Sequence, residues 1–262
     1  MLGKLLKHEF RATARIMGPM YLVLLALSLG ANLSIRLNHS GGRLLNILSG
    51  IVITAFGFSI AAVCIMAIVL MANRFRTNLM SEEGYIMFTL PVSAHGLVWS
   101  KIIVSTVWFI ATSLAVALSG LIVSFRVSFV LKFFSWLQEM FREITAYYAI
   151  NGIAFLLEGL VLLFLACAVL CLLFYAAMAV GYSFANHKAL FSVLFFFAFQ
   201  FASQIVGAFV AVALDGFDPF LNLAPVAAVH TFMGLSIAVT LAYGAIFYFI
   251  TTYMLKKRLN LE

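Results

Sequence analysis

The stretch that decides the fold is NGIAFLLEGLVLLFLACAVLCLLFYAAMAVGY, residues 151–182, in which Glu158 is the only charged side chain. The hydrocarbon core of a lipid bilayer is about 30 Å thick, and roughly 20 apolar residues in an α-helix cross it. A run of this length and composition therefore predicts a membrane-spanning helix.

Five similar apolar runs lie on either side of it, so the chain contains six predicted spans. They are residues 16–33, 47–72, 97–125, 151–182, 189–214 and 229–255. No hydrophilic stretch between them is long enough for a soluble catalytic domain. The predicted fold class is an all-α, polytopic membrane protein, with residues 1–262 forming a single transmembrane domain.

The composition excludes several classes of protein. Hydrophobic residues make up 65% of the chain and charged residues 10%, whereas soluble chains average about 45–50% and about 25%. A soluble fold cannot hide that much apolar surface, because polar groups must still coat its outside. A soluble enzyme, a nucleic-acid binder and a disordered regulator are thereby excluded. The net charge of +7 does not indicate nucleic-acid binding, because the basic residues are few and scattered.

The positions of lysine and arginine predict the orientation. An even number of spans puts both termini on one side, and eleven of the 16 Lys and Arg residues fall on that side. Because cytoplasmic loops carry an excess of Lys and Arg, we expect both termini in the cytoplasm. The expected location is the plasma membrane, in a bacterium.

Three segments outside the spans have their own patterns. Residues 1–15 combine apolar residues at helical spacing with basic ones, which predicts either an interfacial amphipathic helix or a plain basic flank. Residues 128–148 predict an amphipathic helix on the extracytoplasmic surface, with a solvated charged face or a lid role as alternatives. Residues 217–228 predict a re-entrant segment, since the apolar run from Phe220 to Leu255 is too long for one span.

The loop between spans two and three, NRFRTNLMSEEGYIMFTLPVS over residues 73–93, is a polar break followed by a short apolar patch and a proline. Gly84 allows a tight turn there. An aromatic and aliphatic knob flanked by acids is suited to docking into a groove of a partner protein. The alternative is a connecting loop that packs on its own bundle.

The motif within this loop is Glu83-Gly84-Tyr85 followed by Thr89-Leu90-Pro91-Val92-Ser93, with Lys101 at the head of the next span. It resembles the cytoplasmic loop of permease subunits in the ABC-2 type family of ATP-binding-cassette transporters. Those permeases have an N-terminal elbow helix, six spans, a coupling helix after the second span and re-entrant helices before the sixth. The resemblance covers the whole chain in architecture and this loop in specific residues.

The resemblance implies a transport subunit that is not itself an enzyme. ATP and Mg would be bound by a separate cytoplasmic ATPase, and no cofactor is expected in this chain, which contains no G-x-x-x-x-G-K-[ST] motif. The residues implied to couple to that ATPase are Glu82, Glu83, Gly84, Tyr85, Phe88, Leu90 and Pro91. The implied partners are two ATPase subunits, a second copy of the permease or a homologous one, and membrane lipid, with no nucleic acid.

The implied function is export of an amphipathic substrate, such as a peptide, a drug or a lipid-like compound. This chain would form half of the translocation path. The direction of transport follows from the resemblance alone.

A few polar residues within the spans are candidates for the translocation path. Glu158 lies about 10 Å below the outer end of its span, where a carboxylate indicates substrate or proton contact, or a structural bond to another helix. Gln200 and Gln204 stand one turn apart, which favours interhelical hydrogen bonding over lining the path. His230 is predicted to be a hydrogen-bonded helix residue. Cys167 and Cys171 have no His or acid beside them, so no metal site is predicted.

Two other classes of membrane protein are alternatives. An ATP-independent secondary transporter or channel is expected to carry several ionisable groups within its spans, and Glu158 alone meets that expectation. An intramembrane enzyme needs a nucleophile with a base, or a ligand set such as H-E-x-x-H, whereas the five histidines are dispersed.

Overall fold

The structure is a computed structural model that describes residues 2–37, 42–80, 94–124, 127–148, 151–184, 186–215 and 225–257. These residues form seven α-helices and no strand, in agreement with the predicted all-α class. In chain order the helices are α1 (Leu2–Leu37), α2 (Arg43–Met80), α3 (Ala94–Val123), α4 (Val127–Tyr148), α5 (Gly152–Gly181), α6 (Lys188–Asp215) and α7 (Pro225–Lys257).

Six of the seven helices are long and apolar enough to cross a membrane, which confirms the number of predicted spans. The stretches that qualify are 23 to 38 residues long, or about 35–57 Å at 1.5 Å per residue. The exception is α4, which covers the predicted amphipathic segment 128–148. Most helices extend beyond the apolar runs, because hydrogen bonds within a helix satisfy the backbone wherever the sequence turns polar.

The first helix differs in one respect from the sequence prediction. Residues 2–15 and the first span form one continuous helix, α1, and Pro19 lies inside it without ending it. A separate N-terminal elbow helix therefore stays a prediction. At 36 residues, α1 is about 54 Å long, which is about 24 Å more than the thickness of the hydrocarbon core.

The last helix begins earlier than predicted. Residues 225–228, the end of the predicted re-entrant segment, are the first turn of α7. Pro225 begins this helix, because a proline at the first helical position loses no hydrogen bond and has a suitable φ angle. Residues 217–224 lie outside the described residues. So do the seven residues predicted to couple to an ATPase.

The chain divides into two compact units. The first unit contains Ala72–Thr106 and Phe141–Glu262, together with the first two residues of the chain. The second unit contains Gly3–Met71 and Val107–Met140. Helices α2, α3 and α4 each have one end in the first unit and the other end in the second.

Polar contacts between α1 and α3 organise the second unit. The Trp108 indole N–H donates to Thr13 Oγ1 over 2.7 Å, and the Tyr21 hydroxyl lies 2.7 Å from Thr112 Oγ1. Further along, the Asn32 amide donates to the backbone oxygen of Ile122 over 2.9 Å. The residue numbers rise together, so α1 and α3 run parallel, joined at three levels by the kind of hydrogen bond that holds membrane helices together.

In the first unit, α5 packs against both α6 and α7. Gly181 faces Ser192 and Phe174 stacks on Phe196, so α5 and α6 run antiparallel. Glu158 bonds to His230 and Ser183 to Met254, so α5 and α7 run parallel. This parallel pairing places residues of similar position along the two helices side by side.

Tyr175 of α5 contacts the C-terminal part of α2 and the N-terminal part of α3, both within the first unit. Its ring stacks on Phe75 with 4.0 Å between centroids and 7° between planes, and both side chains are buried. Its hydroxyl hydrogen-bonds Ser105 and lies 3.4 Å from the backbone oxygen of Lys101. Three helices therefore meet at one aromatic side chain.

A glycine permits the close approach of α5 and α6, and its replacement is a test of the packing. A Cβ at Gly181 would overlap Ser192, including its backbone, so we expect Gly181→Ala to lower the thermal midpoint of unfolding by several degrees. The matched control is Gly159→Ala in the same helix, where a Cβ meets nothing within 4 Å. Alanine favours helix there by about 1 kcal/mol. Equal midpoints for the two variants in detergent would contradict the tight contact.

Candidate functional site

An acid and a histidine from two spanning helices form a hydrogen-bonded pair. His230 Nδ1 of α7 lies 2.9 Å from Glu158 Oε1 and 3.0 Å from Oε2 of α5. Each side chain is 29% exposed. An ionisable side chain in a membrane span is costly unless it faces a partner or a wet cavity, and here each of the two has a partner.

The start positions of the two helices bring the pair together. The Asn151 side chain caps α5 by accepting a hydrogen bond from the Ile153 N–H over 3.1 Å, which satisfies one of the free donors at a helix start. Glu158 and His230 then lie about 9 Å and about 8 Å along their helices. Since α5 and α7 run parallel, two residues at similar distances from the helix starts lie side by side and can bond.

The pair can hold a proton between two defined atoms. With the proton on His230 Nδ1, the imidazole donates to an ionised carboxylate; with the proton on Glu158, the carboxyl donates to Nδ1. Nε2 of His230 can bind a second proton, which makes the imidazole cationic. Because both side chains are partly exposed, the arrangement can accept, hold and release a proton or contact a cation.

Glu158 is bonded to another helix, which is one of the alternatives drawn from the sequence. His230 is hydrogen-bonded, as predicted, but its partner Glu158 was not expected from the sequence. The predicted spans gave no signal for this pairing, because Glu158 follows the start of span four by seven residues and His230 follows the predicted start of span six by one. The roles of Glu158 in substrate or proton contact stay predictions.

A cleft of about 240 Å³ lies between α5, α6 and α7, further along α5 than the pair. Its lining is Ala166, Val169, Leu170, Leu173, Gln200, Ser203, Thr240, Tyr243 and Phe247. The Tyr243 hydroxyl donates to the backbone oxygen of Ser203 over 2.9 Å, which fixes α7 against α6 at one wall. The cleft is mostly apolar, and the Gln200 amide supplies a donor and an acceptor.

The two glutamines of span five have different surroundings. Gln200 lines the cleft, in line with the path-lining alternative, whereas Gln204 is exposed on α6 and is not among the lining residues. Neither amide makes a hydrogen bond to another described side chain. The interhelical bond predicted for them is thus absent from the part of this chain that the structure describes.

The remaining candidates contribute no further site. Among the described residues, no group of three or more His, Cys, Asp or Glu side chains could hold a metal ion. Cys167 is half-buried and Cys171 buried within α5. Comparison of the chain with family models, with characterised proteins and with solved structures gives no match. The class that fold and site define is therefore a six-span helical membrane protein with an acid–histidine pair between two spans.

A double-mutant cycle tests how strongly the bond between Glu158 and His230 stabilises the protein. We expect Glu158→Gln and His230→Asn each to destabilise the protein, with a coupling free energy of about 0.5–2 kcal/mol between them, as for polar pairs in membrane proteins. The measurement is unfolding by a denaturing detergent, followed by circular dichroism.

The control cycle pairs His230→Asn with Glu143→Gln. Glu143 is an exposed acid of α4 that makes no hydrogen bond to His230. These two changes are expected to add. A coupling free energy near zero for the Glu158 cycle, or an equal one for the control, would show that the pair contributes no specific bond.

Proposed function

We propose that this chain is the transmembrane permease subunit of an ATP-driven exporter of the ABC-2 type. It forms half of the translocation path for an amphipathic substrate and is driven by a separate cytoplasmic ATPase. The six apolar helices and the resemblance of the loop after α2 support this proposal. The observation that carries it is a contact that links α2 and α3, the helices on either side of that loop, to α5, which bears Glu158.

That link is the Tyr175 contact. Helix α2 ends at Met80 and α3 begins at Ala94, so the loop joins the two helices that Tyr175 touches through Phe75 and Ser105. A movement of the loop would displace both helix ends. Tyr175 would pass the displacement into α5, because buried, close-packed side chains transmit strain instead of absorbing it.

Helix α5 carries the rest of the proposed path. Four of its residues, Ala166, Val169, Leu170 and Leu173, line the cleft. Glu158 lies about 25 Å from Tyr175 along the helix. The cleft of about 240 Å³ is smaller than the roughly 300–1,000 Å³ typical of pockets for drug-sized ligands. This supports a path completed by a second permease, identical or homologous.

The proposed placement has both termini and the loop after α2 in the cytoplasm of a bacterial cell. ATP and Mg then bind to the ATPase partners, and this chain performs no hydrolysis. The excess of Lys and Arg on the side of the termini supports the orientation.

The coupling role is tested by changing the loop. The variant Glu82→Lys, Glu83→Lys, Tyr85→Ala reverses two charges and removes the aromatic contact, so we expect at least a tenfold loss of co-purifying MgATP hydrolysis when the tagged chain is isolated from native membranes. A tenfold loss corresponds to about 1.4 kcal/mol of binding free energy. A single central side chain of a protein interface can contribute that much.

The matched control is Glu143→Lys in α4, a charge reversal on the side predicted to face away from the ATPase. It should leave the co-purifying hydrolysis unchanged. If the triple variant retained the ATPase and its stimulation, the assignment of the loop would be wrong.

The second candidate function is ATP-independent transport coupled to protons. The hydrogen bond between Glu158 and His230 favours it, because two ionisable side chains inside the spans meet the expectation for a secondary transporter better than one. In this function the pair takes up a proton from one side and releases it to the other as the helices move.

Proteoliposomes containing the chain alone separate the two functions. With a pH gradient and an internal pH-sensitive dye, proton-coupled transport should collapse the gradient without ATP, and Glu158→Gln should slow the collapse about tenfold. The permease function predicts no flux above that of protein-free liposomes. Glu143→Gln, the same acid-to-amide change in α4 and outside the six spanning helices, is the control expected to behave as the unaltered chain.

A further inference from the structure

A basic and aromatic cluster joins the first turn of α3 to the end of α7. His95 Nδ1 lies 2.7 Å from the Tyr248 hydroxyl, and His95 Nε2 lies 2.9 Å from Lys256 Nζ. His95 and Lys256 are exposed and Tyr248 is half-buried. These three residues are the His95 cluster, and the proposed permease function makes no use of them.

The hydrogen-bond pattern assigns the hydrogens of the His95 cluster. A lysine ammonium only donates, so Nε2 of His95 accepts and the imidazole proton resides on Nδ1. Nδ1 therefore donates to the Tyr248 oxygen. Two N–H hydrogens of Lys256 and the O–H hydrogen of Tyr248 are then directed to acceptors outside the cluster.

No described carboxylate supplies those acceptors. The His95 side chain bonds to Lys256 and to Tyr248, and no acid in the described part of the chain hydrogen-bonds His95 or Lys256. The ammonium of the neighbouring Lys257 lies outside the His95 cluster, 5.5 Å from the centre of the Tyr253 ring. The site thus offers positive charge and several donors, which match the oxygens of a phosphate group.

The surroundings indicate a phosphate at the membrane surface. Trp99 is 49% exposed, and its ring lies 5.8 Å from that of Tyr248. Tyr253 is 41% exposed and Phe249 68% exposed, with their rings stacked at 6.1 Å. Exposed Trp and Tyr at the ends of spans lie at the headgroup level of a bilayer, where apolar side chains meet acyl chains and lysines meet phosphates.

We propose that the His95 cluster binds the phosphate of an anionic phospholipid headgroup, with the acyl chains against Trp99 and Phe249. Lys256 and Tyr248 donate to the phosphate oxygens, and His95 holds both in place. A zwitterionic lipid carries its own cation beside the phosphate and gains less from the positive charge of the site. A bound lipid would join the start of α3 to the end of α7.

Native mass spectrometry of the purified full chain tests the proposal. Phosphatidylglycerol is titrated into zwitterionic detergent, with phosphatidylcholine as the comparison lipid. We expect the unaltered chain to bind phosphatidylglycerol about tenfold more tightly, and Lys256→Gln to remove most of that tenfold preference. Tyr248→Phe, which loses a single donor and retains the ring contacts, should weaken binding about threefold.

The control is Lys257→Gln, which makes the same change of charge one residue away from the cluster. It should change the affinity by less than about twofold. Circular dichroism in phosphatidylcholine checks folding, and Tyr248→Phe still tests the site if Lys256→Gln does not fold.

Three results would overturn the proposal. One is equal binding of the two lipids by the unaltered chain. Another is an equal loss of affinity in the Lys256 and Lys257 variants, which would indicate a diffuse charge effect. The third is displacement of the lipid by inorganic phosphate at the same free concentration, which would identify a soluble anion as the ligand.

Discussion

A backbone that crosses lipid must form its own hydrogen bonds, because the hydrocarbon supplies neither donor nor acceptor. This requirement makes every span a helix, but it does not determine how the helices pack, since lipid tails solvate leucine as well as another helix does. The specific arrangement therefore depends on the polar side chains. Trp108 with Thr13 in the second unit, and Glu158 with His230 in the first, are contacts that would be lost if the helices rotated or slid.

Helix α5 shows how one element combines structural and functional demands. Its C-terminal part, from Cys171 to Gly181, is mostly buried and includes Tyr175. Residues 152–170 contain no fully buried side chain and carry Glu158 in an otherwise apolar sequence. Because only its C-terminal part is buried, the rest of the helix is free to move relative to that part. In the proposed function, the movement of the loop reaches the buried C-terminal part of α5, and the remaining part of the helix lines the path.

The sequence predicted the number of spans because length and apolar content alone decide whether a helix can cross a membrane. It did not predict that α1 runs unbroken through residues 2–37, since a polar segment and an apolar one can share a helix without a signal at the junction. Nor did it predict that Pro225 begins α7, because proline both divides and starts helices. The partner of Glu158 depends on which helices are neighbours, and an apolar pattern contains little of that information.

The Glu158–His230 pair has different consequences in the two candidate functions. A transporter coupled to protons needs the pair to titrate during each cycle. An exporter driven by ATP needs no proton there, so in that case the pair either fixes α7 against α5 or presents the carboxylate to a substrate. Residue 166, where the cleft begins, lies about 12 Å from Glu158 along α5. In the proposed exporter, an amphipathic substrate in the cleft would have to extend over that distance to reach the carboxylate.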